Sequence, residues 1–201
     1  MEKPEERYKH KGLVIEIYAD ENPQSPRKDD NVGTIVAWHR RYNLGDGGHR
    51  SEYNNPQSTK AEYLADLEAQ GAVVLPLYLY DHSGITISTG SFQDADWDSS
   101  MVGFIFTLPD KVEAEYPLAS YPSEAQRREA VIKILTAEIE VFDQYLRGDA
   151  YGYQILKPVK CETCGHIEEE KLDSCWGYYG IERCKEEAEA AANHEAAQAA
   201  A

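Results

Sequence analysis

Apolar residues along this chain either alternate, run together or recur every three to four positions, and each rhythm predicts a different element. Residues 12–18 (GLVIEIY) and 32–39 (VGTIVAWH) are β-branched and apolar and predict two strands. The segment between them, 19–31, is polar, carries two prolines and predicts a surface loop. From about Asn43 the chain turns loop-like, with Gly45, Gly47, Gly48 and Pro56 as breakers. A helix is predicted from Ser58 or Thr59 to Gln70. Glu62 is placed for a capping box with Thr59, Tyr63, Leu64 and Leu67 form an apolar face, and Gly71 is the stop. Residues 72–80 (AVVLPLYLY) are almost continuously apolar and predict a buried strand, in which Pro76 requires a bulge or an edge position. A turn over 81–84, an alternating strand over 85–89 and a loop over 90–98 lead to a core strand over 101–107 (MVGFIFT). After a short helix over 109–116, Ser123 with Gln126 predicts the start of a long helix. Val131, Leu135, Ile139, Phe142 and Leu146 recur along it at helical spacing, and Gly148 ends it. Residues 151–156 predict the last strand.

This order predicts an α+β fold: a mixed or mainly antiparallel sheet with two main helices on one face, plus a Cys-containing C-terminal appendage. The expected core is Leu75, Leu77, Leu79, Val102, Phe104 and Ile105, with Leu135, Ile139 and Phe142 from the long helix. The expected organisation is an α+β domain over 1–158, a Cys-containing hairpin or zinc-knuckle-like appendage over 159–184, and an Ala/Glu-rich tail over 185–201. That tail favours helix by propensity but has almost no apolar face, so it is expected to be helical or disordered.

Charge narrows the partners. The net charge is −16. Residues 1–50 balance, with 9 acids and 9 Lys and Arg, so the excess acid lies beyond residue 50. Such a field repels nucleic acid and favours a basic partner, so direct DNA binding is not expected. No apolar run is long enough to span a bilayer, and the polar N-terminus lacks the apolar stretch of a signal peptide. A cytoplasmic location with reduced cysteines is expected, and no membrane association.

All four cysteines lie between 161 and 184. Cys161-Glu162-Thr163-Cys164-Gly165-His166 has the spacing of a zinc knuckle, two thiolates on a tight turn with Gly behind them. Cys184 and His166 are the candidates to complete a structural zinc site, with Cys175 as a further candidate. Reduced thiols in a hairpin or core are the alternative, and the aromatic surroundings of Cys175 suit packing. The carboxylates Asp94, Asp96 and Asp98 could suit a hard cation but lack the glycine and glutamate of a full calcium loop. Asp81, His82 and Ser83 hint at general-base hydrolysis. A polar turn explains the same residues, and no nucleophile elbow, phosphate loop or HExxH pattern accompanies them. Trp38-His39-Arg40-Arg41-Tyr42 is a compact basic and aromatic cluster; its arginines are expected to pair with nearby acids.

Six segments, read together, resemble a family of small accessory proteins of tailed phages and integrated mobile elements. They are IEIYADENPQSPR (15–27), VGTIVAWHRRYNLGD (32–46), LPLYLYDHSGITIST (75–89), WDSSMVGFI (97–105), DQYLRGDAYGYQI (143–155) and LDSCWGYYG (172–180). The resemblance implies a viral or mobile-element origin and the cytoplasm of a bacterial host as workplace. It carries over no catalytic residue. The functional expectation is therefore an accessory protein that binds a host protein through an acidic surface, in its sharpest form a counter-defence protein occupying the basic groove of a restriction or CRISPR effector. The alternative is a metal-dependent hydrolase or nuclease using Asp81, His82 and Asp98 in the strand-end loops.

Overall fold

The computed structural model of the chain describes residues 3–46, 58–92, 98–117 and 120–199. The chain forms two compact units, one made of Met1–Gln24 with Gln144–Ala201, the other of Ser25–Asp143. Each contains a four-stranded antiparallel sheet, so the α+β class with antiparallel pairing holds, as two sheets rather than one.

The first unit contains β1 (Glu6–His10), β2 (Leu13–Ala19), β7 (Ala150–Lys160), β8 (Ile167–Tyr179) and helix α4 (Ile181–Ala199), with sheet order β1-β2-β7-β8. The N-terminal segment, polar throughout and not expected to be a strand, is an edge strand here. It turns into β2 through Lys11 and Gly12, both at positive φ (47° and 83°), the backbone of a two-residue hairpin. Its alternation is the only apolar signal it carries, with Tyr8 packing inward. The inner face of the sheet presents Leu13, Ile15, Ile17, Tyr153 and Ile155 to Cys184, Ala188 and Ala192 of α4, and all eight are buried. Small residues at every fourth position make a flat seam on the helix, which lets it lie close to the sheet. The tail is therefore a packed helix through Ala199, and its apolar face is made of alanine and Cys184. The residues expected to form an appendage are the end of β7, a turn, all of β8 and the first turn of α4.

The second unit contains β3 (Thr34–Ala37), α1 (Ser58–Ala69), β4 (Val73–Asp81), β5 (Ile85–Ser88), β6 (Ser99–Thr107) and α2 (Pro109–Glu115). It also takes most of α3 (Glu124–Arg147), whose last turn belongs to the first unit. The sheet order is β3-β6-β4-β5. The cap expected at Ser58 or Thr59 lies outside the described side chains. On α3 the serine half of the expected capping box is formed, with Gln126 N–H donating to Ser123 Oγ at 3.3 Å, while the Gln126 side chain accepts from the Ser123 hydroxyl at 3.0 Å.

Phe104 and Phe106 point to the α1 side, where the Tyr63 ring lies 5.7 and 6.0 Å from theirs. Ile105 points the other way, beside Gly33 and Glu138 of α3. The two main helices of this unit thus cover opposite faces of the sheet, not one, which is why β6 is apolar at consecutive positions. Val131, Leu135, Ile139 and Phe142 are buried, as are Leu77, Leu79, Val102, Phe104 and Ile105; Leu75 is half-buried. Pro76 is accommodated because β5 pairs with β4 only from Tyr78 onward, leaving the strand one-sided there, and the register shifts between Leu77 and Tyr78.

Candidate functional site

Two places gather the residues singled out from the sequence, one in each unit. In the second unit, the ends of β3, β4 and β6 carry Trp38–Tyr42, Asp81–Ser83 and Asp98. The Asp81 N–H donates to the Asp98 carbonyl at 3.0 Å, so the two segments are joined through their backbones. The Asp81 carboxylate is already engaged, accepting from the Arg41 guanidinium and from Tyr42 Oη at 3.1 Å. Tyr42 is in turn held by His39, whose ring stacks on it at 5.0 Å and 6°, with Nδ1 accepting the Tyr42 N–H at 3.2 Å. The Arg41 guanidinium also lies 5.4 Å from the centre of the Tyr42 ring. The basic and aromatic cluster is thus spent largely on ordering its own loop, with Arg41 pairing an acid as expected.

His82 Nδ1 sits 3.2 Å from Asp98 Oδ2, and Tyr80 stacks on the imidazole at 6.0 Å. A histidine–carboxylate pair orients an imidazole, which is one part of a general base. Here the two side chains are 64% and 48% exposed, so water has access to both. Ser83, at φ 55°, belongs to the turn, and His82 N–H donates to the Gly84 carbonyl at 3.0 Å. Among the described residues no hydroxyl is hydrogen-bonded to His82. Asp94 and Asp96 lie outside the described residues. Asp81, His82 and Asp98 are therefore neighbours in space, but Asp81 serves an ion pair and only His82 and Asp98 face one another.

The residues that sequence reasoning missed lie behind this edge. Arg27, with its side chain 8% exposed, bonds Asp46 through Nε at 3.0 Å and Nη2 at 2.7 Å, and Glu138 through Nη1 at 2.9 Å. Asp46 also accepts from Ile35 N–H, and Glu138 from Val32 N–H and Gly33 N–H. A single buried guanidinium thus ties two loops and α3 together, and its pKa is raised by the two carboxylates, which outweigh the opposing effect of its burial. Nothing in the local pattern around Arg27 signals this, because its partners are 19 and 111 residues away.

In the first unit, the turn between β7 and β8 carries Cys161, Cys164 and His166. Cys161 N–H donates to the His166 carbonyl at 2.8 Å, and Gly165 N–H to the Cys161 carbonyl at 2.9 Å, with Gly165 in the left-handed region at φ 73°. The Cys164 N–H, the Cys164 thiol and the Thr163 N–H are directed at the Cys161 sulfur and lower its pKa below that of an ordinary thiol. The other two cysteines are elsewhere. Cys184 is fully buried against the sheet, and burial pushes its thiol up to about 12. Cys175 is exposed on β8, opposite Tyr153. Among the described residues no three His, Cys, Asp or Glu side chains are grouped to hold a metal ion. The structure thus brings Cys161 and Cys164 together and joins neither Cys175 nor Cys184 to them, nor His166 as a third side chain. Cys184 is a core residue, because the alanine seam on which it lies faces the sheet.

No protein family, curated protein or solved structure matches this chain in comparisons of its sequence and fold.

Proposed function

We propose that this chain acts as an accessory protein of a phage or mobile element, by binding a basic surface of a bacterial host protein. The specific form of this reading is occupation of the nucleic-acid groove of a defence effector. The observation that carries it is uncompensated charge. The first unit holds 17 Asp and Glu against 10 Lys and Arg, and the second 19 against 10. Much of the basic complement is used internally, Arg27, Arg41, Arg183 and Lys185 all being paired with acids. On the β7–β8 hairpin, by contrast, Glu162, Glu168 and Glu170 are exposed and form no ion pair among the described residues. Exposed charge of one sign accelerates encounter with an opposite groove, and the association weakens as salt rises.

The test is capture of host proteins by wild type and by a variant carrying Glu162→Lys, Glu168→Lys and Glu170→Lys. A specific host partner should be retained by wild type at low salt and lost by the variant, with the melting temperature unchanged. Capture that survives both the reversal and high salt would remove this reading. The hydrolase alternative rests on the His82–Asp98 contact alone. Its test is nuclease and esterase activity with added divalent metals, compared between wild type and His82→Ala.

A further inference from the structure

The β7–β8 hairpin outruns the sheet that supports it. β2 pairs with β7 only as far as Leu156, so Lys157–Lys160 pair with Ile167–Glu170 alone. A two-stranded ribbon by itself is marginal in water and gains from a tie at its tip. This ribbon also exposes apolar surface, with Val159 41% and Ile167 59% exposed. At its tip the backbone is already shaped as a metal knuckle. The two cysteines are separated by two residues, Gly165 takes the left-handed conformation behind them, and the turn is closed by Cys161 N–H on the His166 carbonyl and Gly165 N–H on the Cys161 carbonyl.

We propose that Cys161 and Cys164 are half of a zinc site, and that the same two cysteines of a second copy of this chain complete it. Zinc in a structural site takes four ligands in a tetrahedron. This chain offers two at the tip, with Cys184 enclosed in the core and Cys175 on the sheet. The missing pair therefore comes from outside, and an exposed ribbon tip leaves room for an identical tip to approach. A four-thiolate zinc site carries two negative charges. The Lys160 side chain lies against the knuckle, its Cε 3.8 Å from the position a Cβ on Gly165 would take, so each copy brings a cation to offset one of them. Val159 and Ile167 lie on opposite faces of the ribbon, so the tip carries exposed apolar surface on each side. The site does not depend on the host-partner reading.

The experiment uses the full chain, purified without chelator and then titrated with zinc. Bound zinc is measured by elemental analysis and mass by sedimentation. About 0.5 zinc per chain is expected, with a zinc-dependent doubling of mass that chelator reverses. Cobalt in place of zinc should give the intense visible and sulfur-to-metal charge-transfer bands of a four-thiolate site. Cys164→Ser should lose metal and dimer together, while Cys175→Ser keeps both. Both variants lie at exposed positions, so circular dichroism should match wild type. A chain that binds no zinc, or one that binds it while remaining a monomer, overturns the proposal whatever the variants do.

Discussion

The two units share a four-stranded antiparallel sheet and differ in what covers it. The second unit fills its interior with bulk: Phe104, Phe106 and Leu67 on one face of the sheet, with Tyr63 and Trp38 packed against them. The first unit covers its sheet with a helix whose buried contacts are Cys184, Ala188 and Ala192. One interior is built by volume and the other by close approach. They should fail differently, the first type through cavities and the second through crowding. Trp38 lies in the second unit and Trp176 in the first, so tryptophan fluorescence can report on them separately in two single-tryptophan variants, each with Trp97 and one of the other two replaced by phenylalanine.

The largest effect is expected from Phe104→Ala, which opens a cavity beneath Tyr63 and Trp38 and should cost about 3–5 kcal/mol in denaturant unfolding. The Trp38 signal should shift more than that of Trp176. Equal shifts would show that the two interiors unfold as one and would break the comparison.

Arg27→Ala removes the cation between two partly buried carboxylates of the second unit. A loss of roughly 3 kcal/mol is expected, since Asp46 and Glu138 would be left without compensation. Because both acids also hold backbone N–H groups, Arg27→Lys should recover only part of that loss. Full recovery would show that charge alone, without the forked geometry, is sufficient.

In the first unit, Ala188→Leu adds bulk to the seam and should cost about 1–3 kcal/mol, whereas Ala190→Leu, at an exposed position of the same helix, should change stability by less than about 0.5 kcal/mol. Equal effects at 188 and 190 would mean that close approach is not what holds α4.

The smallest effect is one of pH, and it separates the units by chemistry. Burial, together with Glu189 for Tyr8 and Asp173 for Tyr153, pushes both phenols up to about 12, and burial does the same to the Cys184 thiol. Tyr178 is raised as well, by burial and then by its contact with Cys175. All four groups belong to the first unit. A folded-state pKa above the unfolded one means that the folded state holds its protons more tightly. The associated stability is therefore complete below about pH 9 and is lost as pH rises from about 9 to 12. Alkaline titration should move the Trp176 signal before the Trp38 signal, and Cys184→Ala should narrow the gap. Simultaneous loss of both signals would remove the distinction.

Much of the second unit was legible from the chain alone. Its strands are apolar runs, its long helix has a stripe at Val131, Leu135, Ile139 and Phe142, and Ser123 with Gln126 marks where that helix begins. Amphipathic rhythm is a local property, so the residues that show it are close in sequence. The candidate chemistry was legible only as a set of residue types. The pairing of His82 with Asp98, the capture of Asp81 by Arg41 and Tyr42, and the separation of Cys184 from Cys161 and Cys164 all depend on which elements become neighbours.

The local pattern of the chain specifies the α+β class, most of the elements of residues 25–143, the acidity, and the turn at Cys161–Gly165, which is encoded within five residues. Tertiary structure alone decided that residues 6–10 are a strand, since their polar pattern acquires meaning only through pairing with β2. It also decided that α4 is a core helix. Alanine carries too little hydrophobic area to mark a face in a sequence, and it becomes a packing residue only when a sheet lies close enough for small side chains to fill the gap. Arg27 shows the same limit for charge: a guanidinium is a surface residue or the centre of a buried clamp depending on carboxylates far away in the chain, and only folding brings them within reach.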